Sequence, residues 1–569
     1  MGTTPSQRIR QLSVFIFLFA LFLIGKLYFV QIVSGEEFRN RGDRQYTQAN
    51  YDFFDRGTIF FQSKDGNLVS AATLKTGYLA AINPKLITDP QSVYEKLEQI
   101  IPLDEKAFFE KAARKDLTYR EIARRLPRET AESISAAKLP GVEAHKERWR
   151  FYPGDSMAAQ ALGFLAYREN DLAGRYGLER YYEDVLGRDS ESAFVNFFAE
   201  IFSNIQRGLS KEKSLEGDIV TSIEPSVEAY LEQKLQEVNE TWNSEYSGGI
   251  IMNPMNGEIY AMALSPSFDP NNFQEVTNPR LFSNYLVESV YEMGSIIKPL
   301  TMAAGLDSKA VTTSTTYFDA GTLTLNNKTI SNFDAKGRGT VNMQEVLNQS
   351  LNTGAAFVVR TMGKENFARY MLGYGLGEET GIDLPNETHG LVENLKSPRD
   401  IEYATAAFGQ GIALTPIGTI RALAALGNGG YLVNPHIATR VNYKIGGSKK
   451  ISPNPPKQVL KPETSEEITR MLVVVVDKAL RGGTLKVPNY SIAAKTGTAQ
   501  VVREGSRGYY DDRFLHSFFG YFPAYEPRFI VFLYTMYPKG VRFASETLSE
   551  SFMDITKFLI NYYEIPPDR

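Results

Sequence analysis

The chain has 569 residues, of which 43% are hydrophobic and 22% are charged, and its formal net charge is −4. This composition is typical of a large ordered protein, and without a run of Lys or Arg it lacks the basic surface that nucleic-acid binding requires. The chain has no cysteine, which excludes disulfides and thiolate metal sites. Its four histidines show no ligand spacing, so we predict no metal site.

The first element is an apolar segment near the N-terminus. Residues 12–33 are apolar apart from a few polar positions, and about 20 such residues can cross a bilayer. Two arginines precede the segment, and the positive-inside rule then predicts a cytoplasmic N-terminus over residues 1–10. We predict a single-pass signal-anchor helix over residues 11–33 and an extracytoplasmic remainder. A cleaved signal peptide is the alternative, although no convincing cleavage site follows residues 12–25.

The next 180 or so residues contain no recognisable catalytic cluster, but they include an apolar stripe. Its members recur at the spacing of one helix face, and they are Phe194, Phe197, Phe198, Ile201, Phe202 and Ile205. Two interpretations remain open. The stripe either packs on the rest of the protein or binds a membrane or a partner, because exposed apolar stripes usually mark interfaces.

Three short motifs follow in the second half of the chain. They are Ser295-Ile-Ile-Lys298, Ser350-Leu-Asn352 and Lys495-Thr-Gly-Thr498. Each is weak alone, since Ser210/Lys213 and Ser452-Pro-Asn454 imitate the first two within polar or proline-rich stretches. In this order, the three motifs can supply an activated serine, a proton relay and a carboxylate clamp. The combination predicts acyl transfer through a covalent serine ester.

The context of the first motif supports a buried helix. The stretch Ser295–Leu306 is apolar over about three turns, and Pro299 is tolerable because it falls near the helix start. Spacing of three residues puts the Lys298 amine on the same face as the Ser295 hydroxyl. Burial, together with a second cation from Lys495, would lower the pKa of Lys298. We therefore predict that Lys298 is neutral at rest and acts as the general base.

Later segments predict a sheet and a terminal helix. Tyr490–Lys495 alternates loosely after the turn signal Arg481–Thr484, and Arg528–Met536 is rich in strand-forming residues, so both are predicted strands. The segment Ser545–Tyr563 is predicted to form one amphipathic helix.

The three motifs resemble those of the penicillin-binding protein and serine β-lactamase superfamily, and their surroundings resemble its class B, monofunctional transpeptidase branch. The matching segments are Tyr291–Pro299, Phe408–Gly411 followed by Thr415-Pro416, and Lys495–Gln500 in the second half, with Asp55–Ile59, Arg150–Pro153 and Tyr176–Glu179 before it. The resemblance covers nearly the whole chain. It implies that Arg56, Arg150 and Glu179 are structural rather than catalytic.

The resemblance implies an α+β fold. A transpeptidase domain with an antiparallel sheet packed between helices would occupy residues 218–569. An elongated class B dimerisation or pedestal domain would occupy residues 34–217, after the transmembrane helix. We find no glycosyltransferase motif in the segment before the pedestal. Strand polymerisation would then belong to a partner, which by resemblance is a polytopic SEDS-type glycosyltransferase.

The resemblance also implies roles for individual residues. The catalytic set would be Ser295, Lys298, Ser350, Asn352 and Lys495, and the substrate-binding set would be Thr496, Gly497 and Thr498. Ser350 would relay a proton toward the leaving amine, and Asn352 would hold the substrate amide. Lys495, with the two threonines of its motif, would grip the terminal carboxylate. The oxyanion hole would be the N–H groups of Ser295 and Thr498, and no cofactor would be required.

The implied function is a peptidoglycan D,D-transpeptidase at the bacterial inner or plasma membrane, which cross-links stem peptides ending in D-Ala-D-Ala and is a target of β-lactams. Overall resemblance, notably at Pro266–Phe273 and Ile565–Asp568, favours septal over side-wall synthesis. Two rival enzymes share the motifs, a D,D-carboxypeptidase and a β-lactamase, in which water resolves the ester. The non-enzymatic candidates are a β-lactam sensor and a non-catalytic penicillin-binding scaffold.

Overall fold

The computed structural model describes residues 54–168, 171–188, 216–444, 447–503, 505 and 508–569, together with Phe19 and Leu23. Apart from those two positions, the predicted N-terminus (1–10) and anchor (11–33) lie outside the described residues, as does the whole apolar stripe of residues 194–205. Within the described residues, no helix has both the length and the apolar character needed to span a membrane.

The described residues form two compact units. The smaller contains Phe54 and residues 76–148, and the larger contains residues 55–75 and the described residues between 149 and 569. The domain boundary predicted between residues 217 and 218 falls within a strand.

The elements of the N-terminal part, in chain order, are β1 (Ile59–Gln62), β2 (Leu68–Ile82), α1 (Pro90–Glu98), α2 (Glu105–Ala112), β3 (Arg120–Leu126), α3 (Arg128–Ala136), β4 (Val142–Phe151), α4 (Ala159–Leu162), β5 (Leu165–Arg168), β6 (Asp171–Gly174), α5 (Gly177–Tyr181) and α6 (Glu183–Leu186). In the smaller unit, β3 runs antiparallel to the second part of β2. Asp89 and Asp104 cap α1 and α2 by accepting a backbone N–H three residues on. The core of this unit includes Val93, Leu97, Phe108 and Ile134.

The elements of the C-terminal part are β7 (Gly217–Thr221), α7 (Pro225–Trp242), β8 (Tyr246–Met252), β9 (Ile259–Ser265), α8 (Tyr285–Glu288), α9 (Lys298–Asp307), β10 (Thr316–Asp319), β11 (Thr322–Leu325), β12 (Lys328–Ser331), β13 (Gly339–Asn342), α10 (Met343–Asn348), α11 (Asn352–Met362), α12 (Lys364–Gly373), α13 (Asp400–Ala406), α14 (Pro416–Ala424), β14 (Tyr431–Leu432), β15 (Ala438–Tyr443), β16 (Ser448–Lys450), β17 (Lys457–Gln458), α15 (Pro462–Val474), β18 (Ala493–Val502), β19 (Tyr509–Phe522), β20 (Phe529–Met536), α16 (Ala544–Thr547) and α17 (Ser549–Tyr562). All of them belong to the larger unit.

A five-stranded antiparallel sheet forms the centre of this part, with the strand order β18, β19, β20, β8, β9. Every residue of β20 is buried because both faces of the sheet are covered. Val531 and Leu533 pack in one core with residues of α7 and α17. Phe532, on the opposite face, packs in a second core with Ile296 and Leu300. The antiparallel sheet between helices predicted from the sequence is therefore present.

The local predictions are right in outline and wrong at some boundaries. A 3-10 turn over Gly294–Ile297 precedes α9, and Pro299 occupies the start of that helix. β18 begins at Ala493 rather than Tyr490, because Ser491 donates its backbone N–H to Asp568 instead of pairing with β19. The predicted terminal helix is two helices that meet at Leu548, whose side chain is fully buried.

Candidate active site

Ser295 and Lys298 lie one helical turn apart at the start of α9. The 3-10 turn carries Ser295, and Lys298 is the first α-helical residue. The Lys298 amine nitrogen lies 2.9 Å from the Ser295 hydroxyl oxygen. Ser295 is half-buried, whereas Lys298 is only 1% exposed. The amine is therefore placed to take the hydroxyl proton directly.

The same amine contacts the second motif. Lys298 Nζ lies 3.1 Å from Ser350 Oγ and also donates to the Ser350 carbonyl oxygen. Ser350 has a left-handed φ of 54°, a strained conformation for a non-glycine residue that the surrounding structure must hold. Asn352 is the first residue of α11, and its Nδ2 donates to the Ser331 carbonyl at 2.8 Å. One buried amine thus bridges two hydroxyl groups.

The third motif lies on β18, an edge strand that packs closely against the Ser295 turn. A Cβ atom at Gly497 would lie 2.6 Å from the Met293 carbonyl oxygen, so the approach requires glycine. Ser517 of β19 links the two segments, because its hydroxyl lies 2.9 Å from the Met293 carbonyl and 3.3 Å from the Gly497 carbonyl. Lys495 is 3% exposed, and its amine donates to the Thr496 carbonyl.

A second close approach explains the glycine of the Phe408–Gly411 segment. Gly294 donates its N–H to the Gly409 carbonyl at 3.1 Å. Gly409 has a φ of +79°, and a Cβ atom there would lie 2.7 Å from the Gly294 nitrogen. The turn that carries Ser295 is therefore held on one side by β18 and on another by this glycine.

The two lysines of the site both have a lowered pKa, but the causes differ in part. Burial lowers the pKa of Lys298 well below its ordinary value, and the neighbouring Lys495 charge lowers it further. Burial also lowers the pKa of Lys495, to about 8. In the described part of the chain, Lys298 has no carboxylate within ion-pair distance. The site therefore favours a neutral Lys298 beside a cationic Lys495 at neutral pH.

These groups surround one cavity of about 700 Å³. The predicted site residues that line it are Ser295, Ser350, Asn352, Lys495, Thr496 and Thr498. Lys298 is buried beneath Ser295, and Gly497 is buried where β18 meets the Ser295 turn. The cavity contains hydroxyls, an amide and a cation, which suits a peptide substrate that ends in a carboxylate.

Sequence reasoning missed several residues that line the cavity. Asn332 and Arg338 belong to a loop between β12 and β13, and Phe333 and Phe543 form an edge-to-face pair with ring centroids 5.6 Å apart. No motif spacing marks any of these four residues. Gln410 also lines the cavity, and the resemblance had already drawn attention to its segment.

The described residues include one of the two segments that imitate the site motifs. Ser452–Asn454 is exposed and forms neither helix nor strand, as predicted. Ser210 and Lys213 lie outside the described residues. Among the residues that the structure describes, no three His, Asp or Glu side chains are grouped as a metal site would need.

Comparison with known proteins identifies the family. Residues 248–557 match the penicillin binding protein transpeptidase domain, and residues 55–220 match the penicillin-binding protein dimerisation domain. The chain belongs to the class B penicillin-binding proteins. The family to which the three motifs point is thereby confirmed.

Curated relatives are similar over most of this class B penicillin-binding protein. Stage V sporulation protein D of Bacillus subtilis is 30% identical over 94% of the chain and 82% of its own length. The peptidoglycan D,D-transpeptidase MrdA of Acinetobacter baumannii is 27% identical over 90% of the chain and 82% of its own. The peptidoglycan D,D-transpeptidase FtsI of Buchnera aphidicola subsp. Schizaphis graminum is 26% identical over 97% of the chain and 94% of its own length.

Solved structures share the fold. Penicillin binding protein 3 of Mycobacterium tuberculosis, complexed with aztreonam, aligns with a TM-score of 0.69 over 91% of this chain and 98% of its own, at 20% identity. Penicillin Binding Protein 2X of Streptococcus thermophilus aligns with a TM-score of 0.71 over 90% of this chain and 79% of its own, at 19% identity. At these sequence identities the structural similarity supports a shared fold and nothing finer.

Family membership settles the reaction class. This class B penicillin-binding protein is a peptidoglycan D,D-transpeptidase of cell-wall synthesis. Its substrates are peptidoglycan stem peptides, and its transpeptidase domain binds β-lactams.

Proposed function

We propose that Ser295 is the acyl-carrying nucleophile of this transpeptidase and that Lys298 is its general base. The observation that carries the proposal is the buried Lys298 amine, 2.9 Å from the Ser295 hydroxyl and 3.1 Å from the Ser350 hydroxyl. Its lowered pKa favours the neutral amine, which can accept a proton. Ser452, whose Ser-Pro-Asn stretch imitates the Ser350 motif, lies exposed in a loop, in contrast to the half-buried Ser350.

The first half-reaction forms the acyl-enzyme. Ser295 Oγ bonds to the penultimate D-Ala carbonyl carbon of a stem pentapeptide while its proton passes to Lys298 Nζ. The N–H groups of Ser295 and Thr498 stabilise the oxyanion. The C–N bond to the terminal D-Ala then breaks, and Ser350 relays the proton from Lys298 to the leaving amine.

Substrate orientation comes from the other two motifs. Asn352 holds the donor amide, and the cation of Lys495, with Thr496 and Thr498, holds the terminal carboxylate. Gly497 contributes by allowing β18 to approach the Ser295 turn.

The second half-reaction cross-links the wall. An amine from a neighbouring stem peptide attacks the Ser295 ester, the C–O bond breaks, and Ser295 regains its proton. A β-lactam imitates the donor peptide: Ser295 adds to the lactam carbonyl and opens the ring, so the whole drug stays attached.

The test is the intact mass of the soluble ectodomain after benzylpenicillin treatment, with peptide mapping. We expect an adduct of the whole drug on Ser295 that Ser295→Ala abolishes. Ser210→Ala, which removes the other Ser-x-x-Lys serine, is the matched control and should be labelled like the wild type. An adduct on any other residue, or none while the drug stays intact, would refute the assignment.

A second assay separates the fates of the ester. Incubation with a stem pentapeptide and an amine acceptor should yield the cross-linked peptide, whereas a carboxypeptidase would yield only the tetrapeptide. A cell depleted of this protein tests the scaffold alternative, because Ser295→Ala would restore growth only if acylation were dispensable.

We further propose the placement in the cell that the sequence indicates. Residues 1–10 lie in the cytoplasm, residues 11–33 anchor the chain, residues 34–217 form the pedestal and residues 218–569 the transpeptidase domain. Sodium carbonate extraction should leave the full chain in the membrane fraction and release a version that begins at residue 34. Release of the full chain would refute the anchor.

The cellular process and partner are proposed from resemblance. We propose septal synthesis with a polytopic SEDS-type glycosyltransferase as the polymerase. Depletion should then block division and give filaments, and the polymerase should co-purify with the full chain. Rounded cells, or a polymerase recovered only with another transpeptidase, would contradict this assignment.

A further inference from the structure

A buried carboxylate lies behind the second motif. Asp319, the last residue of β10, is 1% exposed. No described Lys, Arg or His side chain lies within ion-pair distance of its carboxylate. Instead it accepts hydrogen bonds from Thr353 Oγ1 at 2.7 Å and from Asn332 Nδ2 at 3.0 and 3.1 Å. The backbone N–H groups of Gly321 and Arg338, each at 3.0 Å, complete its shell. We name Asp319, Asn332 and Thr353 the Asp319 network.

The Asp319 network adjoins the wall of the cavity. Thr353 follows Asn352 in α11, and Asn332 follows Ser331, whose carbonyl accepts the hydrogen bond from Asn352 Nδ2. Asn332 itself lines the cavity together with Ser331 and Asn352. Thr353, the chain neighbour of Asn352, is therefore a direct partner of Asp319. Ser331, which accepts from the Asn352 amide, is the chain neighbour of a second partner, Asn332.

Asp319 also orients the amide of Asn332. Because the Asn332 Nδ2 group donates to Asp319, its Oδ1 faces Thr353, where it accepts from the backbone N–H at 3.3 Å and contacts Oγ1 at 3.1 Å. This ties the first turn of α11 to the segment that follows β12. An amide turned the other way would place two N–H groups against each other.

The network reaches the other side of Ser350 as well. Arg338, whose N–H Asp319 accepts, donates through Nε to the Gln349 side chain at 2.9 Å. Gln349 directly precedes Ser350, and Thr353 lies three residues after Ser350. The strained Ser350 therefore sits between two attachments to the same carboxylate, and such strain persists only where the surroundings over-determine it.

We infer that Asp319 is a positioning residue for transpeptidation, which acts by holding the Asn352 amide where the donor peptide binds. This inference rests on the proposed role of Asn352. Asp319 does not line the cavity, so it acts through Thr353 and Asn332 rather than on substrate. Small displacements of such groups are costly, since a shift of about 1 Å can reduce a rate about 100-fold.

The test compares Asp319→Asn with Asp307→Asn. Asp307 is a second buried aspartate of the same unit, which accepts hydrogen bonds from Tyr370, Thr464 and Lys461 and does not line the cavity. Both variants should lower the melting temperature. Only Asp319→Asn should reduce the second-order rate constant for acylation by benzylpenicillin, by about 10- to 100-fold. Wild-type acylation in folded Asp319→Asn, or equal losses in both variants, would overturn the inference.

A double-mutant cycle asks whether Asp319 acts through Asn352. The double variant Asp319→Asn, Asn352→Ala should lose less acylation rate than the product of the two single fold-losses. Asn352→Ala already removes the amide that Asp319→Asn would misplace. Losses that multiply would overturn the inference. If Asp319→Asn fails to fold, Thr353→Val takes its place in the cycle, and Thr353→Ser should restore the rate.

Failure of the inference can be told from failure of the proposed function. In the folded Asp319→Asn variant the adduct should still form on Ser295, only more slowly. An adduct elsewhere in the wild type would refute the Ser295 assignment, whereas an Asp319→Asn rate equal to wild type would refute only the positioning role.

Discussion

At the scale of single residues, the candidate site combines two buried lysines in different electrostatic surroundings. Lys298 touches two hydroxyls and has its pKa lowered first by burial and then by Lys495. Lys495 has its pKa lowered to about 8 by burial and stays mostly protonated at neutral pH. In the proposed mechanism, acylation needs Lys298 neutral and Lys495 charged. We therefore expect activity at a pH above the pKa of Lys298 and below that of Lys495.

This pair predicts the pH profile of kcat/KM. The rate should rise as Lys298 loses its proton and fall as pH rises through about 8, because deprotonated Lys495 no longer attracts the substrate carboxylate. Lys495→Arg keeps its charge and should abolish the fall near pH 8, at a lower maximal rate. Lys461→Arg, at a lysine that does not line the cavity, should leave the profile unchanged. If kcat/KM of Lys495→Arg still falls near pH 8, a group other than Lys495 causes the decrease.

At the scale of elements, the site exists because β18 and the Ser295 turn pack backbone to backbone. Gly497 permits this contact on one side, and Gly409 permits the contact of its own segment with Gly294. A side chain at either glycine would meet backbone atoms, which cannot move aside as a flexible side chain can.

Gly497→Ala should therefore separate β18 from Ser295. We expect a loss of acylation rate of about 100-fold, since the added Cβ meets the Met293 carbonyl and displaces Lys495 and Thr498 from the serine. Gly373→Ala is the matched control, because its Cβ would have no neighbour within 4 Å. Stopped-flow acylation with benzylpenicillin measures both. Near-wild-type acylation by Gly497→Ala would show that the strand tolerates the displacement.

At the scale of the whole molecule, the larger unit contains a buried ion cluster far along the chain from the catalytic motifs. Glu179 is fully buried and accepts from Arg56 at 2.7 Å and from Arg150 at 2.5 Å. Arg56 also pairs with Glu183. The segments of the N-terminal part that carry these residues are thereby fixed to one another, which is the structural role that the sequence predicted for them.

Glu179→Gln should destabilise the protein without changing its chemistry. Removing the carboxylate leaves two buried guanidinium groups without their shared counterion, which costs about 3–5 kcal/mol in the free energy of unfolding. Glu393→Gln breaks an exposed pair with Lys396 and should cost at most about 1 kcal/mol. Urea unfolding measures both. The folded Glu179→Gln variant should acylate at the wild-type rate, and a selective loss of acylation would contradict the structural role.

The sequence could predict the Ser295–Lys298 pair because these two residues stand close together along the chain. Ser295 and Lys298 share one helical turn, a distance that backbone geometry sets whatever surrounds it. The Val and Phe pattern of β20 likewise indicated a strand. Boundaries that depend on distant partners were missed, such as Ser491, which bonds to Asp568, and Leu548, which interrupts the terminal helix.

What the sequence alone determined is the family and the candidate groups: two serines, two lysines, an amide and two threonines in the order of the family's motifs. Only the tertiary structure decided which groups meet across long stretches of the chain. It brought Lys495, nearly 200 residues away in sequence, close enough for its charge to lower the pKa of Lys298. It also placed the Asp319 carboxylate against Thr353, the neighbour of Asn352. Local spacing fixes contacts within a turn, whereas contacts across the chain and the burial that shifts a pKa depend on how the whole core packs.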